Sequence, residues 1–229
     1  MKYNSALMSE ASGSTGGLTA SRNRGGAYFR KRVVPTNPNT VFQQTVRGIL
    51  GSNGSRWGNI LTAEQRNGWD AYALAVPLPN TLGAPHNVGG LGMYNRTNVA
   101  RVNAGGDQID DAPTIFNLGE MTDPVIGVVD ASADTVSIAF TNTDEWAGEV
   151  GSFMVIQGSR AQNPSVNYFK GPYRVAGIIE GSGTPPTSPI VIPLPFKVAL
   201  GQKVFFQARV SRADGRLSGT FQGFGIVTA

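Results

Sequence analysis

Few residues in this chain have the types and spacing that chemistry requires. A nucleophile needs a base that titrates near neutral pH, and His86 is the single histidine among 229 residues. It sits beside Pro85 in a Gly- and Pro-rich stretch, without the Gly-x-Ser-x-Gly elbow that presents a serine to such a base. Cysteine is absent, which removes disulfides, thiolate metal sites and cysteine nucleophiles together. Gly89, Gly90 and Gly92 lack the Gly-Lys-Ser/Thr step of a phosphate-cradling loop and read as loop. Asp107, Asp110 and Asp111 offer carboxylate oxygens to a hard cation, but not in the alternation, or with the closing glutamate, of a calcium loop. A solvated interdomain turn is the expectation there. Asn53-Gly54-Ser55 and Asn95-Arg96-Thr97 fit the glycosylation triplet, yet no secretory signal gives them meaning. The expectation is therefore a non-enzyme, with no catalytic residue, no cofactor and no metal site.

What the sequence does concentrate is positive charge. The formal net charge is only +4, but residues 1–60 carry Lys2, Arg22, Arg24, Arg30, Lys31, Arg32, Arg47 and Arg56 against Glu10 alone. A basic front end meets nucleic acid or an acidic protein surface. Sequence-reading proteins add aromatic platforms or a basic recognition helix, and neither is evident here. DNA contact is thus not favoured, and a protein partner is. No apolar run approaches the roughly 20 residues of a membrane span, so no membrane partner is expected. Residues 1–17 are polar and small where a signal peptide would be apolar.

The elements that must carry this charge read as follows. Residues 1–17 are rich in Ser, Gly and Ala and form an extended N-terminal arm, mobile on composition alone. Residues 18–34 form a hairpin around Asn23-Arg24-Gly25-Gly26, whose Asn and Gly tolerate positive φ. In its second strand Tyr28, Arg30 and Arg32 share one face, and Phe29, Lys31 and Val33 the other. Neither face is apolar, so the ribbon gains stability by packing on this protein's own helices or by adding to another chain's sheet. The candidate interaction residues are Arg22, Arg24, Tyr28, Phe29, Arg30, Lys31 and Arg32. Pro35 and Pro38 keep the following bridge extended. Thr40-Val41-Phe42-Gln43 is a capping box, predicting a helix to about Leu50 that Gly51-Ser52-Asn53-Gly54-Ser55 interrupts. Thr62-Ala63-Glu64-Gln65 repeats the box and opens a second helix, with Trp69, Tyr72, Ala73 and Val76 as its stripe and Pro77 as its stop. Gly68 within it is a candidate for close approach of another backbone. A third helix is expected over residues 91–103, ended by Gly105 and Gly106.

From about Pro113 the pattern changes to alternation. Val136, Ile138 and Phe140 fall on one face of a strand, and Val204, Phe206, Ala208 and Val210 on one face of another. Further strands are expected over residues 152–157, 173–179, 190–194 and 219–227; the strand with Val204 spans 203–211, and Asp214-Gly215 turns between it and 219–227. The predicted class is α+β: an N-terminal arm, a β-hairpin and two or three short helices, then an all-β sandwich resembling immunoglobulin or fibronectin type III modules. The expected domains are 1–17 (arm), 18–111 (hairpin and helices) and 112–229 (sandwich). The expected core includes Phe42, Trp57, Trp69, Tyr72, Val136, Ile138, Phe140 and Phe206.

Several of these segments together resemble a poorly characterised family encoded in structural gene clusters of tailed phages and prophages. The likeness runs through Gly16-Gly17-Leu18-Thr19-Ala20-Ser21-Arg22-Asn23-Arg24-Gly25, Tyr28-x-Arg30, Val34-Pro35-x-Asn37-Pro38-x-Thr40, Trp57, Leu61-Thr62, Gln65-Arg66 and Trp69-x-x-Tyr72-Ala73. It continues in Gly92-Met93-Tyr94-Asn95-Arg96 and in Asp214-Gly215-Arg216-Leu217-Ser218. The resemblance implies a virion component, assembled in the host cytoplasm, and supplies no catalytic residue. The first expectation is a bacteriophage capsid decoration or cement protein that docks through its arm and basic hairpin. Its partners would be major capsid or tail subunits, within a homo-oligomer or a larger assembly. The alternatives are a tail-tube, connector or head-tail joining protein, and a carbohydrate or host-surface binding module, for which Trp146 or Tyr168 would have to stand on loop tips.

Overall fold

The computed structural model describes residues 11–23, 26–79 and 84–229. Arg24, Gly25 and the first ten residues of the expected arm lie outside them. The chain divides into two compact units, Met1–Gln44 and Thr45–Ala229.

In the first unit, β1 (Gly13–Thr15), β2 (Leu18–Asn23) and β3 (Gly26–Lys31) form an antiparallel sheet in the order β1-β2-β3. The hairpin register pairs Ser21 with Tyr28 and Thr19 with Arg30. Part of the expected arm is thus a third strand. Gly16, at φ 57°, turns the chain between β1 and β2, and the Ser14 and Thr19 hydroxyls meet across that pair at 2.8 Å. Residues 32–40 are extended, and Val33 and Val34 are exposed. Thr40 then caps α1 (Val41–Asn59) as anticipated: Gln43 N–H donates to Thr40 Oγ1 at 3.3 Å, and Thr40 N–H to Gln43 Oε1 at 3.2 Å. Phe42, expected in the core, is 60% exposed. The first turn of α1 precedes Ile49 and Asn53, the residues through which the helix buries itself.

The second unit carries the remaining elements. α1 continues through Gly51-Ser52-Asn53-Gly54-Ser55, where an interruption was expected. Each glycine costs a helix about 1 kcal/mol, and tertiary contacts offset this. Asn53 is fully buried, its Nδ2 donating to Asn95 Oδ1 at 3.0 Å while Gln108 donates to its Oδ1. One turn on, Arg56 reaches Asp110. α2 (Ala63–Ala75) has the complete Thr62/Gln65 capping box. β4 (Leu78–Pro79) and β5 (Pro85–His86) form a short pair, and α3 (Gly90–Asn103) follows. The glycines read as loop are the cap and first turn of α3: Gly89 takes φ 74°, and Gly90 lies so close to α2 that a Cβ would meet the Asp70 backbone nitrogen. Close backbone approach therefore occurs at Gly90; Gly68 faces the Ala112 methyl instead. Leu61, Trp69, Tyr72, Ala73, Val76, Met93 and Tyr94 form the helical core, with the Trp69 and Tyr94 rings edge to face at 5.5 Å. Trp57 packs at its margin.

Seven strands complete the unit: β6 (Val125–Asp130), β7 (Thr135–Ala139), β8 (Phe153–Gly158), β9 (Arg174–Glu180), β10 (Ile190–Pro193), β11 (Lys203–Ser211) and β12 (Phe221–Thr228). They form one mixed sheet in the order β10-β7-β6-β12-β11-β8-β9. Every neighbouring pair is antiparallel except β12 and β6, which run parallel over Val227↔Val129 and Thr228↔Asp130. The sheet nearly closes into a barrel, because a Cβ on Gly177 of β9 would touch Ile192 of β10. Val136, Ile138, Phe140, Trp146, Val204, Phe206 and Val210 lie in its core. The protein is α+β with a β-rich C-terminal part.

Candidate functional site

Two regions concentrate functional chemistry, one in each unit. On the ribbon of the first unit, Tyr28 and Phe29 are half-buried, while Arg22, Arg30, Lys31 and Arg32 are exposed. The register places Tyr28, Arg30, Ser21 and Thr19 on one face and Phe29, Lys31, Ala20 and Leu18 on the other. Among the described residues, β3 has β2 on one side only in this sheet. An open strand edge beside a row of cations can pair by backbone hydrogen bonds with an extended segment, and by charge with acidic side chains.

In the second unit, α3 meets the end of the β-sheet through polar contacts. Thr97 Oγ1 donates to Gly215 O at 2.9 Å, and Arg96 Nη2 to Leu217 O at 3.4 Å. The Gly92–Arg96 and Asp214–Ser218 segments, 118 residues apart, are thereby brought together. Arg101, 5% exposed, donates from Nε to Asp107 O at 3.1 Å and from Nη1 to Gly151 O at 3.1 Å and Arg212 O at 2.7 Å. Burial lowers its pKa. Arg212 holds Glu149 at 2.5 Å and Glu145 at 3.0 Å; burial opposes its charge, but the two carboxylates outweigh that and raise its pKa. Arg216 bonds Asp214 at 2.7 Å and Asn117 Oδ1 at 2.8 Å. Tyr72 donates to Asn117 O at 3.1 Å, and burial raises its pKa.

A cleft of about 840 Å³ is lined by Glu120, Asp123, Asp144 and Glu145 together with Arg212 and Arg216. Sequence reading missed the arginine cluster. The available signal was the close succession Arg209, Arg212, Arg216 in a chain with few charges.

The other residues singled out in the sequence are dispersed. His86 is exposed on β5. The aspartates do not converge on a common point: Asp110 accepts from Arg56 and Tyr94, Asp111 accepts from Gln65, and Asp107 contributes its backbone carbonyl to Arg101. Trp146 is fully buried and so cannot serve as a loop-tip platform, whereas Tyr168 is 72% exposed. No helix of the described residues is long and apolar enough to cross a membrane.

Comparison with known proteins yields no match to a family model, a curated protein or a solved structure.

Proposed function

We propose that the chain is a non-enzymatic structural protein of a tailed-phage virion, a capsid decoration or cement protein that docks on shell subunits through its N-terminal ribbon. The observation that carries this reading is the first unit itself. Its short sheet, the extended segment after it and the start of α1 expose Arg30, Lys31 and Arg32 beside Leu18, Val33, Val34, Val41 and Phe42. Scattered surface apolar residues are ordinary, but a run of them flanking a cationic row suits burial against a partner. The docking surface would be acidic with an apolar centre, and β3 would add to a partner strand.

The β part is, in this reading, the projecting module, of the immunoglobulin or fibronectin type III kind. Its strand order supports that: β10-β7-β6 and β12-β11-β8-β9 are two antiparallel groups in the succession such modules use, linked by one short parallel stretch.

The test is co-sedimentation of the purified chain with capsid shells lacking it. Wild type should pellet with shells, and the charge-reversed triple variant R30E/K31E/R32E should stay in the supernatant. Equal pelleting of the two, or binding to isolated tails in preference to shells, would refute the reading.

A further inference from the structure

We propose that the seam between α3 and the outer face of β11 is a binding site for a small phosphate-class oxyanion, held by Arg96, Arg209 and Ser211. Four buried side-chain polar atoms lack a hydrogen-bond partner among the described residues: Arg96 Nη1, Arg209 Nε, Ser211 Oγ and Trp146 Nε1. Native interiors satisfy nearly all such groups, and the first three of these belong to one place. Val204, Phe206, Ala208 and Val210 turn into the core, so Arg209 and Ser211 stand two residues apart on the opposite face of β11. Ser211 bridges Leu217, the residue whose carbonyl accepts from Arg96. Arg209 reaches Thr220 Oγ1 at 2.5 Å, three residues beyond Leu217.

All three orphaned groups can donate, and the acceptors beside them, Leu217 O and Thr220 Oγ1, are engaged by the other nitrogens of Arg96 and Arg209. The neighbouring arginines have theirs: Arg212 is held by Glu145 and Glu149, and Arg216 by Asp214. Arg96 and Arg209 make no ion pair among the described residues. Burial, and then the charge of Arg209, hold the Arg96 pKa down to about 10. Two partly buried like charges without a counter-charge are costly. A tetrahedral dianion accepts from two guanidinium forks and a hydroxyl at once, with two charges against two. Ser211 is 2% exposed, which suits a small ion better than the backbone of a duplex. The inference is independent of the assembly reading.

The experiment is thermal unfolding of the full chain in phosphate and in chloride at equal ionic strength, with phosphate binding followed directly by 31P line broadening. Wild type should gain roughly 5–10 °C in phosphate at a hundredfold excess over Kd. R209Q and S211A should lose most of that gain and the line broadening, while R174Q, at an exposed position of β9, should keep both. R209Q removes a repelling charge and is expected to stay folded, so the test does not depend on R96Q. A single-stranded oligonucleotide that gives the same variant-sensitive gain would uphold the oxyanion site and assign the phosphate to a diester backbone. No phosphate-specific gain in wild type, or an equal gain in R209Q and S211A, would overturn the proposal.

Discussion

Arg101 offers a direct measure of how the helices are held to the sheet. Its guanidinium donates to the carbonyls of Asp107, Gly151 and Arg212 and lies 5.9 Å above the Phe153 ring. Arg101→Ala takes the donor from the Asp107 and Gly151 carbonyls, at about 1 kcal/mol each, leaves Arg212 O with the Gly215 N–H alone, and removes the side chain's packing. Against this, it relieves the buried charge, whose cost shows in the lowered pKa. The balance is a loss of about 2–4 kcal/mol, or roughly 5–15 °C in Tm for a chain of this size. Arg101→Met keeps most of the volume and should lose about half as much. Urea unfolding can be followed separately in two places, since Trp57 and Trp69 report the helices and Trp146 the barrel. The two signals should coincide in the wild type and separate in Arg101→Ala. A loss under roughly 0.5 kcal/mol, with the signals still coincident, would show that water replaces the guanidinium and that it clamps nothing.

Three further outcomes are expected. Thr62→Ala breaks the capping box of α2 and should cost about 1 kcal/mol in urea unfolding. Gly90→Ala places a Cβ against the Asp70 backbone, so α2 and α3 must separate; a loss of roughly 2–3 kcal/mol is expected, whereas Gly68→Ala, facing a methyl, should cost less. Asp130 accepts from the Ser132 hydroxyl and from the Ala133 and Ser132 amides, which hold its pKa below the ordinary 3.8. Because the folded value is depressed, this contribution is complete above the unfolded pKa and fades as pH falls through the folded one. Asp130→Asn should therefore flatten the acid limb of stability measured below pH 4.

The local devices were legible in the sequence because they involve residues within a few positions of each other. Thr40/Gln43 and Thr62/Gln65 cap as read, and the alternation of Val204, Phe206, Ala208 and Val210 gives β11. Failures occur where distant residues decide. The Gly51–Ser55 stretch stays helical because Asn53 is held by Asn95 and Gln108, over forty positions away. β6 was missed because Val125–Asp130 contains Gly127 and shifts register between Ile126 and Val129, which breaks its alternation. Of the arginine cluster only the close succession Arg209, Arg212, Arg216 shows in the sequence, because Arg96 joins it through the fold alone.

The arginines of this chain fall into two physical classes, and the difference bears on assembly. Arg101, Arg212 and Arg216 are buried, and their desolvation is already met by carbonyls and carboxylates within the second unit. Such contacts are directional, so they fix the orientation of α3 on the sheet more than they add stability. They are also shielded from solvent, and salt should barely move them. Arg30, Lys31 and Arg32 are exposed, and their solvation is lost only on meeting a partner. At physiological ionic strength screening acts over about 8 Å, so any docking through the ribbon must weaken steeply with salt. Within the second unit the buried contacts orient the β part on its helices, whereas in the first unit the exposed cations leave any attachment through the ribbon open to screening by salt.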